Sequence, residues 1–463
     1  MHTSTTSTVP LVSWTAAQLL EATQGYWLND QAPNTEIKRI LTDSRDAEAG
    51  DAFLALKGER FDAHAFITQV AEQGCQVAIV SQPIDAEVCQ LVVPDTRLAL
   101  GQLGAYRRAQ NPQLKVIALT GSSGKTTTKE MLGSILSRIA PTLVTRGNLN
   151  NDLGVPVMLL ELRPEHQYAV MELGASHQGE IDYTSNLVQP LVAGIINIGT
   201  AHLGEFGGRD GICRAKSEIY AHIAPNGTSI VPAADDFADS IRQAVQTEQV
   251  LSFGAGGEIF ATEIELQAQS ATFKLNTPQG VRQVNLPFAG EHNVQNATAA
   301  AAFALAIGIS LDDIVLGLEQ AVGAKGRLNF IQQGRHLLID DTYNANPTSM
   351  RAAAEVLAQQ EGVRVMVMGD IGELGSSAAQ QHYMLGRDLV SVKGLNFVVA
   401  VGEFAPAAQE GARSTQYGKK MQAFLTQEQA LPFLLSLIET HQPQSMSFLF
   451  KGSRYTHMET LMA

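Results

Sequence analysis

A short stretch that combines two glycines, a lysine and two threonines lies at Gly121–Thr127 and reads G-S-S-G-K-T-T. Gly121 and Gly124 allow backbone N–H groups to turn toward an anion, and the helix expected to follow adds a favourable dipole. Lys125 can reach the β- and γ-phosphate oxygens of a nucleotide, and Thr126 can ligate Mg²⁺. The stretch therefore predicts a phosphate-binding loop, with an ordinary glycine-rich turn as the alternative.

An acidic residue and a histidine follow the next two apolar runs of the chain. Glu172 lies at the end of the run Tyr168–Leu173, and His202 follows the run Val192–Ile198. Since the ligands of a doubly wound sheet gather at the carboxyl ends of its strands, we expect both side chains near the edge that holds Lys125. A carboxylate there can hold a hard metal ion directly or through water. The alternatives are a capped strand end for Glu172 and a satisfied core histidine for His202.

A lysine lies on the apolar stripe of a third segment. Lys216 follows Ile212 by four residues and precedes Ile219 by three, so helical spacing places it on the face that should be buried. A buried lysine needs a partner or must lose its charge. The amine could extend to solvent or pair with Glu218 or Glu172. Alternatively, an amine of lowered pKa could take up CO₂ as a carbamate and present an anion to Mg²⁺.

Near-continuous apolar runs surround these residues and predict the strands that position them. Such runs fit strands that are buried on both faces of a parallel sheet. After the phosphate loop, a stripe from Met131 to Ile139 keeps helical spacing. Predicted strands lie at Lys115–Thr120, Tyr168–Leu173 and Val192–Ile198, and a second series lies at Leu337–Asp340, Val363–Met368, Phe397–Val401 and Met446–Phe450.

Length and pattern predict an α/β protein with three domains. A chain of 463 residues exceeds what one core supports at roughly 150 residues per domain. We expect a small α/β domain at 1–96, a central domain with a P-loop mononucleotide-binding parallel sheet at 97–325, and a Rossmann-like domain at 326–463. Within the central domain, alternating runs at Ile259–Leu286 flank a Pro-Gly turn and predict an antiparallel hairpin at the sheet edge.

Composition excludes several classes of protein. The net charge of −14 argues against a nucleic-acid or anionic-membrane surface, and 45% hydrophobic with 17% charged residues is typical of a globular enzyme. The three cysteines, Cys75, Cys89 and Cys213, have no C-x-x-C spacing, which fits a reducing cytosol. Ala297–Leu311 is too short to span a membrane, and we interpret it as a buried helix. We expect a cytoplasmic monomer without membrane insertion.

Taken together, a set of motifs in chain order resembles the Mur ligase superfamily, the ATP-dependent amide-forming enzymes of peptidoglycan synthesis. The resemblance covers almost the whole chain, and no single motif would carry it. The motifs are T-G-S-S-G-K-T-T at Thr120–Thr127, G-N-L-N-N at Gly147–Asn151, M-E-L-G at Met171–Gly174, A-K-S-E-I at Ala215–Ile219, E-H-N-V-Q-N-A at Glu291–Ala297 and G-R-L at Gly326–Leu328.

The resemblance implies a role for each matching residue. Lys125, Glu172, His202 and Lys216 would be catalytic, Lys216 as the carbamylated lysine, and Thr126 would join the last three as magnesium ligands. The nucleotide would contact Gly121, Ser122, Ser123, Gly124, Lys125, Thr126, Thr127, Asn296, Arg327, Asp341, Tyr343, Asn344, Asn346 and Pro347. The UDP-linked substrate would contact Ser44, Arg45, Asn148, Asn150 and Asn151. Read alone, these asparagines could simply form a turn, Asn296 could begin a helix, Arg327 could make an interdomain salt bridge, and Ser44 with Arg45 could enter a helix.

Within the superfamily, D-D-T-Y-N-A-N-P-T-S-M at Asp340–Met350 resembles the signature of the ligases that join D-alanyl-D-alanine to UDP-N-acetylmuramoyl-tripeptide. The resemblance implies ATP and Mg²⁺, and an acyl phosphate that the dipeptide amine attacks. Two alternatives stay open: a regulatory nucleotide switch, and a sibling ligase that acts on another peptide or on folate. The loop Tyr343–Pro347 favours the first interpretation over the sibling. Asp370, Glu373, Lys451 and Arg454 are candidates for holding the dipeptide, and helix caps or surface ions are equal alternatives.

Overall fold

The computed structural model describes residues 12–58, 61–200 and 203–462. The described residues form two compact units, which fall within 1–118, 140–173 and 182–190 for the first and within 119–139, 174–181 and 191–463 for the second. No helix in the described ranges has both the length and the apolar character needed to traverse a lipid bilayer.

The first part of the chain forms a small α/β sheet inside the first unit. Its strand order is β1-β5-β4-β3-β2, with β1 antiparallel and the others parallel. Residues along β4 alternate between two cores, since Val77 and Ile79 pack in one and Ala78 and Val80 in the other. The elements are α1 (Ala16–Thr23), β1 (Tyr26–Trp27), β2 (Ile40–Leu41), β3 (Ala52–Leu54), α2 (Ile67–Glu72), β4 (Val77–Val80), β5 (Cys89–Val92) and α3 (Thr96–Ala109).

The next part contains the predicted βα series. Val116–Leu119 are fully buried, as expected for a strand covered on both faces. Strands β7 and β8 pair in parallel in the first unit, and β9, β10 and β11 do so in the second. The elements are β6 (Lys115–Thr120), α4 (Lys125–Ser137), β7 (Thr142–Val144), α5 (Gly154–Leu160), β8 (Tyr168–Glu172), α6 (Glu180–Val188), β9 (Val192–Ile195), α7 (Leu203–Phe206), α8 (Arg209–Ser217), β10 (Thr228–Pro232), α9 (Ala238–Ala244) and β11 (Gln249–Phe253).

The alternating segment is antiparallel as expected, but it does not lie at the edge of the parallel sheet. It forms a three-stranded sheet of its own, of order β12-β13-β14.

The segment Ala297–Leu311, predicted as one helix, is divided between two helices. Gly308 adopts a positive φ of 85°, and the Ser310 side chain caps the second helix. The elements are β12 (Phe260–Leu266), β13 (Ala271–Thr277), β14 (Gly280–Leu286), α10 (Glu291–Ala306) and α11 (Leu311–Glu319).

The last part is a six-stranded sheet of order β15-β16-β20-β17-β18-β19, antiparallel only between β15 and β16. Met366 and Met368 of β17 face one core and Val365 and Val367 the other, so helices cover both faces and the expected Rossmann-like architecture is confirmed. The elements are β15 (Asn329–Gln333), β16 (His336–Asp340), α12 (Pro347–Ala358), β17 (Val363–Gly369), α13 (Ala378–Ser391), β18 (Phe397–Val401), α14 (Ala405–Arg413), β19 (Met421–Phe424), α15 (Gln427–Thr440) and β20 (Met446–Lys451).

Candidate active site

The phosphate loop, Gly121–Thr127, connects β6 to α4 in the second unit. Gly124 is the N-cap of α4 with a φ of 78°, a conformation that favours glycine. A Cβ atom on Gly124 would also lie 2.2 Å from Asn296 Oδ1, so the helix α10 approaches the loop too closely for any side chain there. The Lys125 ammonium donates to the Gly121 carbonyl at 2.8 Å and thereby folds over its own loop.

Two residues of the C-terminal part contact this loop inside the same unit. Arg327 donates from Nη2 to the Thr126 hydroxyl at 3.0 Å, and its guanidinium lies 4.5 Å from the centre of the Tyr343 ring. Asn346 donates from Nδ2 to the Ser123 hydroxyl at 3.1 Å. The structure therefore places two residues expected at the nucleotide, Arg327 and Asn346, in contact with the phosphate loop. A third, Tyr343, contacts Arg327.

The start of α12 explains why Asn346 is held in place. Asn346 is the N-cap of this helix, its side-chain oxygen accepts from the Ser349 N–H at 2.8 Å, and the Ser349 hydroxyl accepts from the Asn346 N–H in return. Pro347 occupies the first turn, where its missing N–H costs nothing. Thus Asn346 uses its oxygen to cap the helix and its nitrogen to reach the phosphate loop.

An ion pair that is almost fully buried fixes the segment before Asn346. Lys451 at the end of β20 donates to the Asp341 carboxylate at 2.6 Å and to the Asn344 carbonyl at 3.0 Å. Asp341 also accepts from the Leu328 N–H at 3.2 Å. Lys451 is a candidate for holding the dipeptide by sequence, but in this structure its ammonium connects β20 to the loop that carries Tyr343.

Several of these groups line a cavity of about 680 Å³, a volume typical of sites for small molecules. His292 of α10 lies in its wall, and burial together with the positive charge of Lys451 lowers the pKa of His292 from 6.5 to about 4. The imidazole is therefore neutral at pH 7. The lining includes Ser123, Gly124, Thr127, Asn197, His292, Asn296, Arg327, Asp341 and Lys451.

Asn197 follows β9 and hydrogen-bonds with the phosphate loop, although no sequence motif indicated it. Its Oδ1 accepts from the N–H groups of Ser122 and Ser123, and its Nδ2 donates to the Ser123 carbonyl. His292 was missed as well. The only available signal for Asn197 was a polar residue near the end of the apolar run Val192–Ile198, at the edge where ligands of a parallel sheet gather.

Lys216 is buried in the second unit as its position on the apolar stripe predicts. It lies in α8, and only 2% of its surface is exposed. This burial excludes the alternative in which its amine extends into solvent. His202 lies outside the described residues.

Glu172 lies in the first unit at the end of β8 and is 2% exposed. Its Oε1 accepts from Asn150 Nδ2 at 2.7 Å, which brings an expected magnesium ligand into contact with a residue expected at the UDP-linked substrate. Asn151 instead accepts from the Gly154 N–H at 2.8 Å and supports the start of α5. Asn148 is exposed.

Ser44 and Arg45 lie in a short 3₁₀ helix at the surface of the first unit. The Arg45 side chain is 85% exposed and pairs with Asp43, and this hydrogen bond lowers the pKa of Asp43 to about 2. The structure therefore places this arginine where it is accessible, beside a carboxylate close in sequence.

Two of the remaining candidates for holding the dipeptide, Asp370 and Arg454, have different partners. Both carboxylate oxygens of Asp370 accept backbone N–H groups, from Glu403 at 2.8 Å and Phe404 at 3.1 Å, at the start of α14. Burial nevertheless raises the pKa of Asp370. Arg454 pairs with Glu459 at 2.7 Å. Asp370 thus has the helix-capping role that the sequence left open, and Arg454 makes a surface ion pair.

Family models match three successive parts of the chain. The "Mur ligase family, catalytic domain" matches residues 36–116, the "Mur ligase middle domain" residues 119–304, and the "Mur ligase, glutamate ligase domain" residues 326–454. The chain belongs to the Mur ligase family. The resemblance inferred from the motifs is therefore confirmed.

Named members of the Mur ligase family resemble the chain over nearly its full length. The UDP-N-acetylmuramoyl-tripeptide--D-alanyl-D-alanine ligase of Escherichia coli K12 is 41% identical and covers 98% of both chains. A crystal structure of MurF from Acinetobacter baumannii is 76% identical, with a TM-score of 0.95 over 98% of this chain and 99% of that one. The MurF ligase of Thermotoga maritima, solved in complex with ADP, is 25% identical with a TM-score of 0.80 over 92% and 96%.

Proposed function

We propose that the chain is an ATP-dependent ligase that joins D-alanyl-D-alanine to UDP-N-acetylmuramoyl-tripeptide during the synthesis of peptidoglycan precursors. Full-length relatives that are named for this activity support the proposal. The structural observation that carries it is the pair of hydrogen bonds from Arg327 and Asn346 to the phosphate loop, because Asn346 belongs to the segment that resembles the signature of these ligases.

The reaction needs an activated carboxylate and an amine. The tripeptide carboxylate attacks the γ-phosphorus of ATP, which forms an acyl phosphate and releases ADP. The amine of D-alanyl-D-alanine then attacks the acyl carbon, so that an amide bond forms, inorganic phosphate leaves and the amine loses a proton. In the first step the carboxylate of the tripeptide must approach the γ-phosphate of ATP, and both groups are negatively charged. Lys125 would swing from the Gly121 carbonyl to the phosphates and neutralise charge there, the main contribution to phosphoryl transfer.

Arg327 is placed where it could contact the phosphates of the nucleotide. Arg327 already donates to the Thr126 hydroxyl, so its guanidinium lies beside the start of α4 and can turn to a phosphate oxygen. The Tyr343 ring, whose centre lies 4.5 Å from the guanidinium, adds a cation–π contact that helps to hold Arg327 in place. We therefore assign Arg327 and Asn346 to the nucleotide, with Asp341 and Lys451 holding their segment.

Oxygen donors of the kind that Mg²⁺ prefers are present. Thr126 offers a hydroxyl and Glu172 a buried carboxylate, and bound Mg²⁺ would supply charge neutralisation at the phosphates. No group of three or more His, Cys, Asp and Glu side chains that could hold a metal occurs in the described ranges. We propose that Thr126, Glu172, His202 and a carbamate on Lys216 are the ligands, completed by oxygen atoms of the nucleotide.

The assignments at the UDP-linked substrate complete the proposal. Asn150 contacts the buried Glu172, and Arg45 presents an exposed guanidinium. We retain Ser44, Arg45, Asn148, Asn150 and Asn151 as its contacts, and 1–96, 97–325 and 326–463 as the domains. A cytoplasmic location agrees with the three free cysteines.

Measurement of ADP release separates this proposal from the alternatives. With ATP and UDP-N-acetylmuramoyl-tripeptide present, we expect D-alanyl-D-alanine to raise the rate of ADP release and to appear in the product. A nucleotide switch would hydrolyse ATP slowly at a rate that no peptide changes. A sibling ligase would respond to another amino acid or to folate, and either outcome would contradict the proposal.

A further inference from the structure

Asn197 makes a paired contact with one residue of the phosphate loop. Its Oδ1 accepts from the Ser123 N–H at 3.0 Å while its Nδ2 donates to the Ser123 carbonyl at 3.0 Å. The backbone N–H and the carbonyl of Ser123 are therefore both hydrogen-bonded to the carboxamide of Asn197. The same Oδ1 also accepts from the Ser122 N–H at 3.2 Å, and the Asn197 carbonyl accepts from that N–H at 3.1 Å.

The segment that carries Asn197 is itself fixed against the loop. The Ile196 N–H donates to the Thr120 carbonyl at 2.8 Å, at the end of the strand from which the loop departs. A Cβ atom on Gly121 would lie 3.1 Å from Ile196 Cβ and 3.4 Å from Asn197 N, so the backbones are in close contact. The carboxamide therefore extends from a rigid base.

We propose that Asn197 is a positioning residue that fixes Ser122 and Ser123 before the polyphosphate binds. This inference rests on the proposed nucleotide site. A loop with glycines at positions 121 and 124 has many conformations, and binding would otherwise have to select one of them. A carboxamide that holds the backbone on both sides of Ser123 lowers that cost, which raises nucleotide affinity by preorganisation.

The chemistry of the contact requires a side chain that both donates and accepts. Aspartate has the same shape and keeps the two acceptor contacts, but it would set a carboxylate oxygen against the Ser123 carbonyl and add negative charge beside a polyphosphate. Alanine removes all three side-chain hydrogen bonds. Asn197→Ala and Asn197→Asp therefore test the contact in different ways.

The experiment compares the full-length protein with these two variants. Titration calorimetry measures the Kd for ADP with Mg²⁺, and hydrogen–deuterium exchange of the nucleotide-free protein reports on the amides at 119–128. We expect Asn197→Ala to weaken ADP binding about tenfold, since a hydrogen bond is worth roughly 1 kcal/mol net and more than one is lost. Asn197→Asp should weaken it about a hundredfold through the added repulsion. Exchange in this segment should accelerate in both variants.

Asn276→Ala is the matched control. Asn276 donates from Nδ2 to the Thr262 hydroxyl at 2.9 Å and to the Lys274 carbonyl at 3.1 Å in the three-stranded sheet. Its loss should change neither the ADP affinity nor exchange at 119–128. In turnover, the Asn197 variants should raise the KM for ATP and leave the KM for D-alanyl-D-alanine unchanged.

Two results would overturn the inference: parental affinity for ADP in folded Asn197→Asp, or parental exchange at 119–128 in either variant. If Asn197→Ala does not fold, the isosteric Asn197→Asp decides alone. Failure of the proposed function looks different, because then D-alanyl-D-alanine would not raise ADP release by the parent protein, while the exchange measurement would still decide whether Asn197 holds the loop.

Discussion

Polar contacts in two regions of the molecule differ in how far apart the two partners lie in sequence. One region surrounds the phosphate loop, and the other is expected to bind the UDP-linked substrate. Arg327 and Thr126 are 201 residues apart, Asn346 and Ser123 are 223 apart, and Lys451 and Asp341 are 110 apart. In the first unit, Arg45 bonds to Asp43 two residues away and Asn151 to Gly154 three residues away. Asn150 with Glu172, at a separation of 22 residues, is intermediate.

This difference has a physical consequence. A contact over two or three residues can form within an isolated turn, whereas a contact over 200 residues must overcome the entropy of closing a long loop and forms only with the complete fold. We therefore expect the nucleotide site to depend on tertiary structure and the surface contacts of the first unit to be nearly independent of it. Four predictions, ordered from the largest expected effect to the smallest, test this contrast.

The largest effect is expected at Lys216. Replacement of Lys216 by alanine or arginine should lower turnover by at least about a hundredfold, as the loss of a charged group at a phosphoryl-transfer site does, while circular dichroism shows a folded protein. The ADP-release assay measures the loss. Restoration of the alanine variant by a short-chain carboxylic acid would support the carbamate, and a fully active Lys216→Arg enzyme would reject it.

Lys451→Met should give the largest loss of stability. It leaves Asp341 as a buried carboxylate without its ammonium, and breaking such a pair costs about 3–5 kcal/mol in the free energy of unfolding. Urea denaturation measures this loss. The double variant Asp341→Asn with Lys451→Met should regain part of the stability. The exposed pair of Lys274 and Glu263 is the control, and Lys274→Met should cost less than about 1 kcal/mol. Equal losses of stability in Lys451→Met and Lys274→Met would show that the buried pair, distant in sequence, contributes no more than a surface pair.

A smaller effect should follow from the histidine beside Lys451. The pKa of His292 is about 4 in the folded protein against 6.5 for the free side chain, so the unfolded chain binds the extra proton first as the pH falls. Stability from this residue is complete above pH 6.5 and is lost as the pH falls toward 4. The parent should lose about 2 kcal/mol more than His292→Asn between pH 7.5 and pH 5, measured by urea denaturation. Parallel losses in the two proteins would show that His292 does not titrate in this way.

Strands were the most predictable part of the fold. Lys115–Thr120 and Phe397–Val401 have the predicted bounds, because runs buried on both faces carry a strong apolar signal. The run at Val192 ends early at Ile195, and further along the Ile198 N–H donates to the Asp235 carboxylate. β15 and β19 were not predicted, since β15 is largely exposed and β19 is short.

Partners were less predictable than elements. The alternation in Ile259–Leu286 specified antiparallel strands but not the sheet they join, because the period of two fixes only which face is buried. Likewise, the motifs indicated Arg327 and Asn346, but no sequence pattern shows that they donate to Thr126 and Ser123. Asn197 and the pairing of Lys451 with Asp341 were missed for the same reason: each depends on a contact between distant segments.

Two arginines offer the most direct comparison of the two regions. Arg327→Met removes the hydrogen bond to Thr126 and the cation–π contact with Tyr343, whereas Arg45→Met removes an exposed pair with Asp43. We expect Arg327→Met to raise the KM for ATP about tenfold, the loss of roughly 1.4 kcal/mol, without changing the KM for the UDP-linked peptide. Arg45→Met should raise the KM for the UDP-linked peptide without changing the KM for ATP. It should leave the free energy of unfolding within about 0.5 kcal/mol of the parent. Steady-state kinetics with each substrate varied in turn measures both. If both variants raise the KM for the same substrate, the two regions do not bind different ligands, and the assignment of Arg45 to the UDP-linked substrate is wrong.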